Sequence, residues 1–117
     1  MEMYSIVRPE HLNHHGHLFG GKLLSWVDEN AWLAATRDFP ACTLVTRAID
    51  LIDFTRPIKC GAILHFIITP VRKGRTSLQY SVEVYATLVG TAQEEKVFST
   101  NITFVNIDAE GNKSVIA

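Results

Sequence analysis

Between positions 13 and 29 the sequence reads NHHGHLFGGKLLSWVDE, and three residue types in it carry chemistry. Gly20 and Gly21 stand at the head of a run of helix-forming residues, where the first unpaired backbone N–H groups of a helix point outward. Such donors hold an anion, or the negative charge that develops on a carbonyl oxygen under attack. Glycine there equally permits a tight turn or close packing of helix on sheet. Asp28 follows about two turns on and supplies a carboxylate able to act as base or nucleophile. Upstream, the amide of Asn13 can donate and accept, and so orient a water or a carbonyl without carrying charge. His11, His14, His15 and His17 crowd the same loop. Imidazoles are common zinc ligands, but no carboxylate or cysteine completes a familiar spacing, so the loop reads as solvated and no metal is expected.

A helix must hold these groups. From residue 20 to about residue 37 the chain is rich in helix formers, with no glycine or proline past Gly21, and Pro40 stands shortly beyond. On a wheel with Leu24 at zero, Ala35, Ala31, Val27 and Ala34 fall in a stripe about 100° wide, the width a core-facing helix needs. Asp28 falls about 40° from Leu24, at the margin of the stripe, while Glu29 lies on the far side. A carboxylate at that margin reaches water, is held by a neighbouring hydroxyl, or is kept for chemistry. The wheel alone favours the first two.

Beyond the helix the pattern turns to alternation. Over residues 76–88, Leu78, Tyr80, Val82, Val84, Ala86 and Leu88 share one face and Ser77, Gln79, Ser81 and Glu83 the other, which describes a half-buried strand. Phe98, Thr100, Ile102 and Phe104 repeat the pattern, and residues 43–54 and 62–71 are rich in β-branched and aromatic side chains. Residues 3–8 predict a short strand. Arg72-Lys73-Gly74-Arg75, Glu94-Glu95-Lys96 and residues 108–112 read as turns. The order strand, helix, four long strands predicts an α+β chain, one antiparallel sheet with a helix against one face. Its edge strands favour pairing across a two-fold axis.

Composition bounds the rest. With 117 residues, 47% hydrophobic and 20% charged, the chain is expected to form one domain over residues 1–117. A net charge of -1 argues against a general nucleic-acid or membrane-surface binder, which needs surplus Lys and Arg. Cys42 and Cys60 form no CxxC pair, and MEMYSIVRPE lacks the layout of a signal peptide, so a cytoplasmic, reducing compartment is expected. The apolar stretch at residues 63–68 is interrupted by His65 and falls far short of the roughly 18 to 20 residues that cross a bilayer.

Residues 13–29, with Phe54-Thr55-Arg56-Pro57-Ile58-Lys59-Cys60-Gly61 and Gly74-Arg75-Thr76-Ser77, closely resemble the hot-dog-fold acyl-CoA thioesterases. More narrowly, the likeness is to bacterial short- and medium-chain acyl-CoA hydrolases and mammalian cytosolic acyl-CoA hydrolases, and the asparagine, glycines and aspartate at this spacing carry it. The resemblance implies a hot-dog fold, a curved antiparallel sheet of about five strands wrapped around one long central helix. It also implies acyl-CoA hydrolysis without a cofactor, coenzyme A being part of substrate and product, by homodimers assembled as a trimer of dimers with sites at the dimer interface. By that analogy Asp28 of one subunit is general base or nucleophile, Asn13 of the other positions water or thioester, and N–H groups near Gly20 and Gly21 polarise the carbonyl. Thr46 is a candidate hydroxyl contact, or an ordinary strand threonine.

The resemblance sets Arg72, Lys73, Gly74, Arg75, Thr76 and Ser77 near the coenzyme, where cations and hydroxyls meet phosphate; a solvated hairpin is the alternative. Arg56 is a second candidate cation. His17 stands where close bacterial relatives often carry an acidic residue, and it can titrate near neutral pH. Two other functions remain open. An acyl-thioester dehydratase or hydratase shares the fold but needs a histidine paired with a carboxylate, and His65 reads as an isolated strand histidine. A non-catalytic acyl-CoA-binding module needs the basic turn but not Asp28.

Overall fold

A computed structural model describes residues 1–87 and 90–117, so Leu88, placed above on the face of the 76–88 strand, lies outside the described residues. In chain order the elements are β1 (Glu2–Ile6), a 3-10 turn (Pro9–His11), α1 (Gly20–Asp38), β2 (Leu44–Phe54), β3 (Ile63–Lys73), β4 (Ser77–Thr87) and β5 (Glu94–Asn106). The five strands form one antiparallel sheet in the order β1-β3-β4-β5-β2. It curves around α1, the arrangement of a hot-dog fold.

Leu23, Val27, Ala31, Ala34 and Ala35 are the buried stripe of α1. They face an inner layer that includes Leu64, Phe66 and Ile68 of β3, Tyr80 and Val82 of β4, and Phe98 and Ile102 of β5. The three alanines let the helix axis approach the sheet, while burying Leu23 or Val27 stabilises by about 1.5–3 kcal/mol each. Of the two adjacent leucines it is Leu23 that is fully buried and Leu24 that is half-buried, Leu23 falling beside Ala34 and Val27 on the helix surface. Asp28 therefore stays at the margin, on the Leu24 side.

The alternation read for β4 holds from Leu78 to Ala86 without a break. Two expected turns differ. Glu94-Glu95-Lys96 opens β5, with Glu94 opposite Thr87, Glu95 opposite Ala86 and Lys96 opposite Tyr85. Cross-strand partners supply what local propensity lacks, since Lys96 Nζ lies 3.0 Å from Glu83 Oε2. Arg72 and Lys73 are likewise the last residues of β3, so the turn itself is confined to residues 74–76.

At the edge of the sheet, β2 leaves Val45, Leu51, Ile52 and Phe54 exposed. Its pairing with β5 slips between Thr46 and Ala48 and again between Asp50 and Asp53. Leu51, at φ 50°, sits in the second irregularity, in a conformation that side chains other than glycine adopt at a cost. The irregularity precedes Phe54, whose ring packs on Phe98 with centroids 5.2 Å apart. Among the described residues no helix is long and apolar enough to cross a membrane.

Candidate active site

The first turn of α1 has no side-chain cap, because its N-cap residue is Phe19. The N–H groups of Lys22 and Leu23 turn back to the Phe19 carbonyl at 3.0 and 3.2 Å, while those of Gly20 and Gly21 have no acceptor among the described residues. Open donors at a helix N-terminus sit where the macrodipole also favours negative charge. Neither glycine has a positive φ, so space rather than backbone conformation selects them. A Cβ on Gly20 would lie 3.2 Å from the Phe54 ring, and one on Gly21 would lie 2.8 Å from the Phe19 ring.

A cavity of about 310 Å³ opens beside this turn, lined by Asn13, His17, Gly20, Leu23, Phe54 and Arg56 among others. Asn13 Oδ1 accepts from the backbone N–H of His15 at 2.9 Å and of His17 at 3.2 Å, and the Asn13 N–H donates to the His17 carbonyl at 2.7 Å. The side-chain oxygen thus holds the loop in shape and leaves the amide NH₂ as the group free to donate. Arg56 makes a 3.6 Å ion pair with Glu95, both well exposed and loosely held.

Asp28, half-buried, receives a 2.6 Å hydrogen bond on Oδ1 from Thr46 Oγ1. Thr46 is set in place from the start of β2, where Trp32 Nε1, one turn beyond Asp28, donates to the Leu44 carbonyl at 3.0 Å. Held by a neighbouring hydroxyl is one of the structural roles open to a boundary carboxylate, and Thr46 fills it. The other oxygen, Oδ2, has no partner among the described residues.

Eight residues of helix put Gly20 and Asp28 about 12 Å apart along the axis. A carbonyl group held by an oxyanion donor and approached by an attacking atom spans roughly 6 Å between the two. Neither Asp28 nor Thr46 lines the cavity at the first turn. Within one chain the open first turn of α1 and the Asp28–Thr46 pair are therefore two separate places.

The basic turn forms a third place. Gly74 N–H donates to the Ser77 carbonyl at 2.8 Å, Arg75 and Arg72 are exposed, and Lys73 Nζ stands 5.9 Å over the Phe39 ring. Phe39 caps the C-terminus of α1, whose 19 residues span about 28 Å. The segment of residues 72–77 and the cavity with Arg56 thus lie at opposite ends of the helix.

The loop histidines disperse. His14 and His15 are exposed with ring centroids 3.9 Å apart, and His11 packs edge-on to Trp26 at 4.8 Å. Among the described residues no three His, Cys, Asp or Glu side chains converge in a way that could hold a metal ion.

His65 is not isolated, contrary to the expectation from sequence. Its Nδ1 lies 2.9 Å from Glu94 Oε2 and its Nε2 lies 2.6 Å from Glu2 Oε1. The partners come from 29 and 63 residues away, beyond any sequence window. The ring alternates with Leu64 and Phe66 and so projects from the face of the sheet away from α1, stacked on Tyr4 at 4.5 Å. A histidine–carboxylate pair therefore exists, on the opposite face from Gly20 and Asp28 and with both ring nitrogens engaged.

A helix with an open Gly-Gly turn and a margin carboxylate, cradled by this sheet, defines a class. The sequence profile described as the thioesterase superfamily matches residues 15–92, and the chain belongs to that superfamily. It is 36% identical over 109 residues to a Bacillus subtilis protein described as an uncharacterized acyl-CoA thioester hydrolase, YkhA, covering 92% of this chain and 62% of that one. Among solved structures, a Staphylococcus aureus acyl-CoA hydrolase in complex with butyryl coenzyme A, coenzyme A and coenzyme A disulfide superposes with TM-score 0.89 at 29% identity, covering 99% of this chain and 70% of that one. Structures of that enzyme include alanine variants at an asparagine and an aspartate fifteen positions apart, the separation of Asn13 and Asp28, and at a threonine. An apo hexameric acyl-CoA thioesterase superposes with TM-score 0.90 at 29% identity, covering 99% of this chain and 74% of that one.

Proposed function

We propose that this chain hydrolyses acyl-CoA thioesters to coenzyme A and a carboxylic acid. The observation that carries the reading is the Asp28 carboxylate, held at 2.6 Å by Thr46 Oγ1 within the span of the superfamily match. Its free Oδ2 takes a proton from a water that attacks the carbonyl carbon, or attacks that carbon itself to give an anhydride that water opens. In both routes the C–S bond breaks, the sulfur leaves with a proton as the coenzyme A thiol, and the acid gains the oxygen of water. The N–H groups of Gly20 and Gly21 stabilise the oxyanion, and the Asn13 amide donates to the carbonyl or positions the water.

The gap of about 12 Å between the two places supports a site shared by two subunits. Asp28 and Thr46 come from one protomer, and Asn13, Gly20 and Gly21, which share the first turn, from its partner. The exposed apolar edge of β2, beside Thr46, suits docking of a second copy, and the hexameric relative supports a trimer of such dimers. Arg72, Lys73 and Arg75, with Gly74 giving an open backbone and the hydroxyls of Thr76 and Ser77, serve the phosphates of the coenzyme. Arg56 is a second cation beside the cavity.

A thiol-release screen across acyl-CoA chain lengths, with Asp28→Asn alongside, tests reaction and residue together. Wild-type protein is expected to release thiol, and the variant to lose roughly a thousandfold in kcat with KM little changed. Unchanged turnover in Asp28→Asn removes Asp28 from the chemistry. Hydration of an enoyl-CoA without thiol release moves the chain to the hydratase class.

A further inference from the structure

His65 is buried even though it stands on the face of the sheet away from α1. Its two ring nitrogens both lie within hydrogen-bond distance of carboxylate oxygens, on Glu2 of β1 and Glu94 of β5. An ionised carboxylate only accepts, and a neutral imidazole has one donor and one acceptor. A neutral ring therefore satisfies one contact and turns a lone pair toward the other carboxylate. The state that satisfies both, with both carboxylates ionised, is the imidazolium.

We propose that protonated His65 is a clasp joining β1, β3 and β5, and that loss of its proton is a pH switch that loosens β1 at the edge of the sheet. The groups facing the ring are Glu2 and Tyr4 from β1, Tyr85 from β4 and Glu94 from β5. Of the charges next to these, Lys96 of β5 is paired with Glu83 of β4 at 3.0 Å, and Tyr85 donates to the same Glu83 at 3.4 Å. Burial pulls the imidazole pKa down, but the hydrogen bonds and charges of Glu2 and Glu94 outweigh it and hold the pKa above its ordinary value. A raised folded-state pKa contributes stability that is fully present below the unfolded-state value and is lost as pH rises through the folded-state value.

β1 is the element able to respond. It is five residues long, lies at the edge and pairs with β3 alone. Through the buried Val7 it leads into the loop that carries Asn13, so its order bears on the candidate site whether or not the proposed activity is right.

Nitrogen-15 NMR of the wild-type protein tests the clasp directly. Expected are shifts showing both His65 nitrogens protonated, and a titration midpoint above that of a histidine reference peptide. Hydrogen exchange of the β1 amides, corrected for its intrinsic pH dependence, is expected to quicken roughly tenfold as His65 deprotonates. Glu2→Gln and Glu94→Gln should each lower the midpoint, and Glu2→Gln should flatten the response of β1. A His65 midpoint at or below the reference peptide, or β1 exchange indifferent to the His65 titration, overturns the proposal. The wild-type measurements decide even if a variant fails to fold.

Discussion

At its first turn α1 presents donors that do not titrate. The N–H groups of Gly20 and Gly21 have no acceptor among the described residues, and Gly20, Asn13 and Phe54 line a cavity of about 310 Å³. Two turns on, the same helix presents an acceptor, the half-buried Asp28 carboxylate with the Thr46 hydroxyl on one oxygen and, among the described residues, no partner on the other. One region suits a developing negative charge and the other suits attack, so each lacks what the other has. A helix cannot shorten, and no rotamer of Asp28 closes about 12 Å. That separation is what the proposed two-subunit site rests on: if both regions serve one thioester, a second copy must supply one of them.

The deepest loss of activity, and its partial return, is expected from complementation between two variants. Asp28→Asn and Asn13→Ala proteins, each strongly impaired, are mixed, dissociated and reassociated. In a two-fold dimer half of the pairs are then hybrids, and each hybrid holds one intact site and one doubly altered site, so thiol release should return to about a quarter of the wild-type rate. If both residues act within one chain, hybrids contain no intact site and the mixture stays as inactive as its parts.

Much of this arrangement is legible in the sequence because it is local. The spacing of Gly20 and Asp28 on an unbroken helix fixes their separation before any fold is known, and the alternation from Leu78 to Ala86 declares the inner face of β4. What stays hidden depends on distant partners. The wheel takes Leu24 as its reference, but Leu23, next to Ala34 at the other margin of the stripe, is the fully buried leucine, a choice that packing on the sheet makes. Glu94-Glu95-Lys96 has turn-like composition yet forms strand, since Lys96 finds Glu83 and Glu94 finds His65. In the candidate site, Thr46 gains its contact with Asp28 through the packing of β2 on α1. The use of the Asn13 oxygen inside its own loop is a local contact that the sequence does not declare, since the same amide can also face solvent.

Thr46→Ala sharpens the acceptor half. It removes the hydrogen bond to Asp28 Oδ1 without touching the first turn of α1, and a hydrogen bond to a charged group is worth about 1.5–3 kcal/mol. If the bond serves to aim the carboxylate, kcat should fall about tenfold with KM nearly unchanged, and Thr46→Ser should restore most of it. Equal impairment by serine and alanine would mean that the threonine methyl, and hence packing, accounts for the position.

Gly20→Ala probes the donor half and has the smallest expected effect. No positive φ ties the position to glycine, so alanine costs no backbone strain and gains up to about 1 kcal/mol over glycine in a helix. The N–H donor stays. The new Cβ would stand 3.2 Å from Phe54 Cζ, so the half-exposed ring must give by a few tenths of an ångström and the cavity narrows. The expected result is a melting temperature equal to or above wild type and a fall of about three- to fivefold in kcat/KM, equivalent to 1 kcal/mol or less and carried mainly by KM. A fall in kcat as deep as that of Asp28→Asn would instead show that the methyl lifts the carbonyl off its donors, which would make the surface of the first turn, and not only its N–H groups, decisive for the reaction.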